Sequence, residues 1–187
     1  MKIAIIGGIG SGKSEALRAA KELGLPTLSA DEINAEMLES AEYISQIARI
    51  FPSAVEGGRI DRAKLAETVF SDEGARAKLN ALAHSRILGR IKEDKRDPLV
   101  VEMPLLVECG AEALFDEIIL VYTPLEKRIE RLAGREMSRA QAESRIKAQA
   151  SESALRAVAT RVIDNSSGLE ELRKNIRELL AQLTNIR

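Results

Sequence analysis

The chain carries one cysteine, Cys109, one histidine, His84, no tryptophan, and a net charge of −1. A lone cysteine excludes an internal disulfide and fits a reducing compartment, and with a lone histidine no Cys/His metal cluster can be assembled. Cys109 reads as a small apolar group rather than a nucleophile. With 28 Lys plus Arg against 29 Asp plus Glu, there is no overall field to attract nucleic acid or anionic lipid, so any anion site must be local. No apolar run reaches the ~18 residues of a membrane span, and the N-terminus enters strand-like sequence without a charged leader and long apolar run. The expectation is a cytoplasmic chain with no nucleic-acid and no membrane partner; a monomer or a small homo-oligomer is expected, with neither singled out by the sequence.

What is present is enough apolar material, 45% of 187 residues, for one domain with a lid or insertion. Directly after the apolar run Ile3-Ala4-Ile5-Ile6 stands Gly7-Gly8-Ile9-Gly10-Ser11-Gly12-Lys13-Ser14, which fits the phosphate-binding pattern G-x-x-x-x-G-K-[ST]. The glycines let backbone N–H groups of Gly8, Ile9, Gly10, Ser11 and Gly12 approach phosphate oxygens. Lys13 can neutralise β/γ charge, Ser14 can ligate Mg²⁺, and the following helix adds the positive end of its dipole. A ligand-free turn between strand and helix needs neither the lysine nor the hydroxyl.

The periodicity places a strand at residues 2–6, a helix from Lys13 to Leu23 stopped by Gly24, and a short strand at Leu25-Pro26-Thr27-Leu28. Ser29-x-x-Glu32 opens another helix as a capping box, and residues 31–96 read as mostly helical, broken at Phe51-Pro52 and Glu56-Gly57-Gly58. Strands follow at residues 98–104 and 117–122, then a helix with Thr123 as N-cap, Pro124 at its first position and Leu125, Ile129 and Leu132 facing inward. Residues 134–160, with Arg135, Arg139, Arg145 and Arg156 and a second capping box at Ser138-x-x-Gln141, read as a helical lid. Val162-Ile163 and an amphipathic C-terminal helix complete the pattern. The expected fold is α/β, a doubly wound, parallel, five-stranded sheet with a core of residues 1–30, 97–133 and 161–187, a helical insertion at 31–96 and a lid at 134–160.

Phosphoryl transfer to an alcohol needs, besides the phosphate cradle, a carboxylate to take or direct the acceptor proton. Asp31, just past the second strand, is either that carboxylate or a first-turn acid favoured by the helix dipole. Glu102 ends the third strand and is either a water-mediated Mg²⁺ partner or a solvated rim acid, with Glu108 a weaker candidate. Arg135 stands where a lid hinge would bring it over the nucleotide, while Arg139, Arg145 and Arg156 also suit a solvated helix face. His84 is either a structural hydrogen-bonder or a neutral donor beside an acceptor.

The order of motifs resembles the dephospho-CoA kinase family along nearly the whole chain. The likeness is carried by the loop after Ile6, Ser29-Ala30-Asp31 in place of an Asp-Ala-Asp signature, Asp61-Arg62, Val69-Phe70, Leu79-Asn80 with His84, and Pro104-Leu105-Leu106 with Glu108. It continues with Arg131, Arg135, Arg145-Ile146, Gln149 and Val162-Ile163-Asp164-Asn165. The resemblance implies a P-loop NTPase-type fold and phosphorylation of the ribose 3′-hydroxyl of dephospho-CoA by ATP with Mg²⁺. It implies Asp31 as catalytic carboxylate, Arg135 and Arg145 in the ATP-facing lid, Asn165 near the adenine, His84 and Glu108 beside the acceptor pocket, and the insertion at 31–96 as the acceptor-recognising region. The chain departs from the family pattern at Ser29 and Ser85, at Arg128, where glutamine is common, and at Thr160-Arg161.

Two rivals belong beside this reading. One is a kinase for another small acceptor, such as a nucleoside monophosphate. The other is a GTP-hydrolysing switch, against which stands the lack of an Asn-Lys-x-Asp guanine signature; Asp94-Lys95-Arg96-Asp97 is only a charged run.

Overall fold

The computed structural model describes residues 1–134 and 137–185. In chain order these form β1 (Lys2–Ile6), α1 (Lys13–Glu22), β2 (Thr27–Ser29), α2 (Ala30–Met37), α3 (Ala41–Ile50), β3 (Val55–Glu56), β4 (Arg59–Ile60), α4 (Arg62–Ser71) and α5 (Glu73–Glu93). There follow β5 (Leu99–Glu102), β6 (Glu117–Tyr122), α6 (Leu125–Ala133), α7 (Arg139–Lys147), α8 (Glu152–Val158), β7 (Arg161–Asp164) and α9 (Leu169–Thr184). The chain divides into two compact units, one of residues 1–29 and 95–187, the other of residues 30–94.

The first unit is built on a five-stranded sheet in the order β2-β5-β1-β6-β7, with every neighbouring pair parallel. β1 lies at the centre because Ile3, Ala4, Ile5 and Ile6 are fully buried, as a strand covered on both faces requires. α1 and α9 pack together against one face and enclose Ile3, Ile5, Ala16, Ala20, Val100, Ile119, Leu172, Ile176 and Leu180. Each of those side chains removes apolar surface from water worth about 25 cal/mol per Å². A smaller cluster of Ile129, Leu132 and Ala142, with Ile9 and Ile146 beside it, ties α6 and α7 to the loop after β1.

The second unit has its own core of Tyr43, Ile47, Phe51, Ala54, Leu65 and Ala75. Asp61 caps α4 by accepting from the N–H groups of Ala63 and Lys64, and Asp72 caps α5 through Gly74 and Ala75. α5, 21 residues long, carries Ile87 and Ile91 among its buried positions.

Four local expectations change. The second strand is Thr27–Ser29, since Pro26 has no N–H for the ladder although its carbonyl accepts from Val100 at 2.9 Å. The break at Gly57-Gly58 is the turn of an antiparallel hairpin, β3 against β4, both glycines having positive φ (56° and 73°) as a two-residue hairpin turn demands. Strands of two residues show no alternation from which to read them. Pro124, not Thr123, is the N-cap of α6, and Leu125 is 52% exposed rather than inward. The capping box Ser138-Gln141 at the start of α7 is formed in both directions.

Candidate active site

The loop between β1 and α1 lies at the carboxyl end of the central strand, with β5 and β6 on either side. Ligands bind at such a point in open parallel sheets. Gly12 is the N-cap residue of α1 with φ 103°, and a side chain there would strike the carboxamide of Asn165. Only glycine meets both conditions. Because α1 starts at Lys13, the positive end of its dipole faces the loop, where an anion is favoured.

Lys13 is 7% exposed and its Nζ donates to the carbonyl of Gly8 at 3.1 Å, which holds the ammonium over the loop. Ser14 is exposed and its Oγ donates to Glu102 Oε1 at 3.0 Å. Glu102 is buried in β5, whose register pairs it with Ile5 of β1 and Ser29 of β2. A hydroxyl and a carboxylate oxygen side by side are the hard donors Mg²⁺ takes beside nucleotide phosphates, so the donor set fits that ion. Among the described residues no group of three or more His, Cys, Asp or Glu could hold a metal alone.

The loop is gripped from outside by five side chains. Asn165 Nδ2 and Thr123 Oγ1 both donate to the Ser11 carbonyl, at 2.8 and 2.9 Å. Arg131 reaches the Gly10 carbonyl at 3.4 Å, Thr123 Oγ1 at 3.3 Å and the Asn165 carbonyl at 3.2 Å. Arg128 donates through Nε to the Ile9 carbonyl at 2.9 Å. Ile9 N–H is itself donated to Gln149 Oε1 at 2.6 Å. Both main-chain groups of Ile9 are therefore engaged with protein. Ser11 Oγ and Asn165 Oδ1 are buried with no hydrogen-bond partner among the described residues.

The remaining sequence candidates fall as follows. Asn165 is fully buried and spends its carboxamide N–H on the loop. Glu108 accepts the N–H of Ala150, between α7 and α8, at 2.8 Å. Arg145 is exposed in the last turn of α7, whereas Arg135 lies outside the described residues. Asp31 is exposed in the first turn of α2, two residues beyond Ser29, and His84 is partly buried within α5. Arg139 is taken up by Glu126 and Glu143, and Arg156 pairs with Glu152 and covers the Tyr122 ring at 4.5 Å. Burial, with Glu108 and Glu112 nearby, pushes the Cys109 thiol above its ordinary range. Thr123 escaped the sequence reading because proline after threonine mimics a helix cap.

The dephospho-CoA kinase family model matches residues 1–171. The chain is 38% identical to a dephospho-CoA kinase of Thermus thermophilus, covering 97% of this chain and 91% of the relative, and 39% identical to one of Thermobifida fusca, covering 98% and 96%. A solved crystal structure from Thermus thermophilus superposes with a TM-score of 0.82 at 36% identity over 98% of both chains. A phosphate loop braced at the head of a parallel sheet, matched along nearly its whole length by these relatives, places the chain in the dephospho-CoA kinase family.

Proposed function

We propose that the chain transfers the γ-phosphoryl group of ATP to the ribose 3′-hydroxyl of dephospho-CoA, giving coenzyme A and ADP, the last step of coenzyme A synthesis. The observation that carries this reading is the phosphate loop with Lys13 on its Gly8 carbonyl and the Ser14–Glu102 pair beside it, in a chain of this family. The bond from the γ-phosphorus to the β,γ-bridging oxygen breaks, a bond to O3′ forms, and the hydroxyl proton passes to Asp31. Lys13 and the helix N-terminus offset the charge of the β/γ oxygens, and positioning supplies most of the rate. Ser14, with Glu102 beside it, would hold Mg²⁺, which would supply charge neutralisation on the same oxygens.

Three parts share the work: the core holds ATP, residues 31–96 hold the acceptor with His84 at its border, and the lid at 134–160 brings Arg135 and Arg145 to the nucleotide. Gln149 and Ala150 support this lid role, since they join the segment to Ile9 and to Glu108. Glu108 then serves acceptor and lid together. Closure keeps water from accepting the phosphoryl group. The test is ADP release from ATP or GTP against a panel of dephospho-CoA, nucleoside monophosphates and simple sugar alcohols. Release that depends on ATP and dephospho-CoA is expected, and equal release with another acceptor overturns the assignment.

A further inference from the structure

Arg128 touches three successive residues of the phosphate loop. Its guanidinium lies on the Cα of Gly8, where any side chain would overlap Cζ and both terminal nitrogens. Its Nε–H donates to the Ile9 carbonyl at 2.9 Å. Its own carbonyl and Cα stand 3.1 and 3.5 Å from where a Cβ on Gly10 would be, so the backbone of α6 closes on the loop as well. Gly8 and Gly10 are residues with large conformational freedom to lose, and Gly10 sits at φ 80°. A contact that fixes them before ATP arrives lowers the ordering cost of binding.

We infer that Arg128 is a positioning residue for ATP, a clasp that holds Gly8–Gly10 in the shape that receives the phosphates. The inference rests on the loop binding ATP, as proposed above. The bond through Nε matters more than the charge. Burial pushes the guanidinium below its ordinary value, with Glu152 acting the other way, while the Nε–H bond to Ile9 fixes the side chain on the loop.

Glutamine and lysine separate the two roles. The Nε2 of glutamine is bonded to Cδ as the Nε of arginine is, so Arg128→Gln can renew the bond to Ile9 without charge. Arg128→Lys keeps the charge but puts a methylene at that position. Arg128→Ala is expected to raise the KM for ATP about tenfold, with kcat at saturating ATP and the KM for the acceptor within about threefold of wild type. Arg128→Gln should return to within about threefold of wild-type KM while Arg128→Lys stays near the alanine variant. ATP binding measured by calorimetry without acceptor should follow the same order, and it remains readable if the acceptor assignment fails. Thermal unfolding of all four proteins separates loop positioning from loss of fold. If alanine does not fold, the glutamine and lysine variants decide. Rescue by lysine and not glutamine, a fall in kcat at unchanged KM, or four equal ATP affinities overturns the inference.

Discussion

At the scale of single residues, the loop's main chain is held by Lys13 from within and by side chains of α6 and of the segments just past β6, α7 and β7. Thr123→Val keeps the shape but deletes the donor to Ser11 O, which retains Asn165 Nδ2. The expected cost is about 1 kcal/mol of stability, read by denaturant unfolding, with weaker ATP binding. Asp31 is proposed to work on the other substrate. Asp31→Asn should keep ATP affinity in calorimetry and lose ~10²–10⁴-fold in turnover, whereas turnover near wild type removes Asp31 from the mechanism. Lys13, Ser14 and the glycines were legible in the sequence because their chemistry is local to eight residues. Thr123, Arg128 and the inward turn of Asn165 were not, since each meets the loop across more than a hundred residues or from a neighbouring helix.

At the scale of elements, helix ends carry much of the second unit's definition. Asp61 accepts from the N–H groups of Lys64 and Ala63, and these bonds, the one from Lys64 first, hold its carboxyl below the ordinary carboxylate value. A depressed native value gives stability that is fully present above the unfolded value and is lost as pH falls through the native one. The difference in melting temperature between wild type and Asp61→Ala should therefore be constant from neutral pH to about pH 5 and shrink below about pH 4. A difference that grows on acidification contradicts the cap. The long strands and helices followed from periodicity, whereas β3 and β4 were too short to show one, and the glycine pair between them looked like a simple helix break.

At the scale of the whole molecule, the chain leaves the sheet unit after Ser29 and returns at Lys95, so that a second core is inserted between β2 and β5. The sequence suggests an insertion because the helical spacing of residues 31–96 interrupts a strand-and-helix alternation. Among the described residues, no helix is long and apolar enough to cross a membrane. The division of labour proposed for the two units, ATP on the sheet and the CoA precursor on the insertion, meets in one product. Its most direct test is the mass of the CoA species after incubation with ATP and Mg²⁺, with phosphate position assigned by fragmentation. A product one phosphoryl group heavier, carrying it on the ribose 3′-oxygen and formed one for one with ADP, is predicted. ADP formed at the same rate without dephospho-CoA, or a precursor of unchanged mass, would contradict the account.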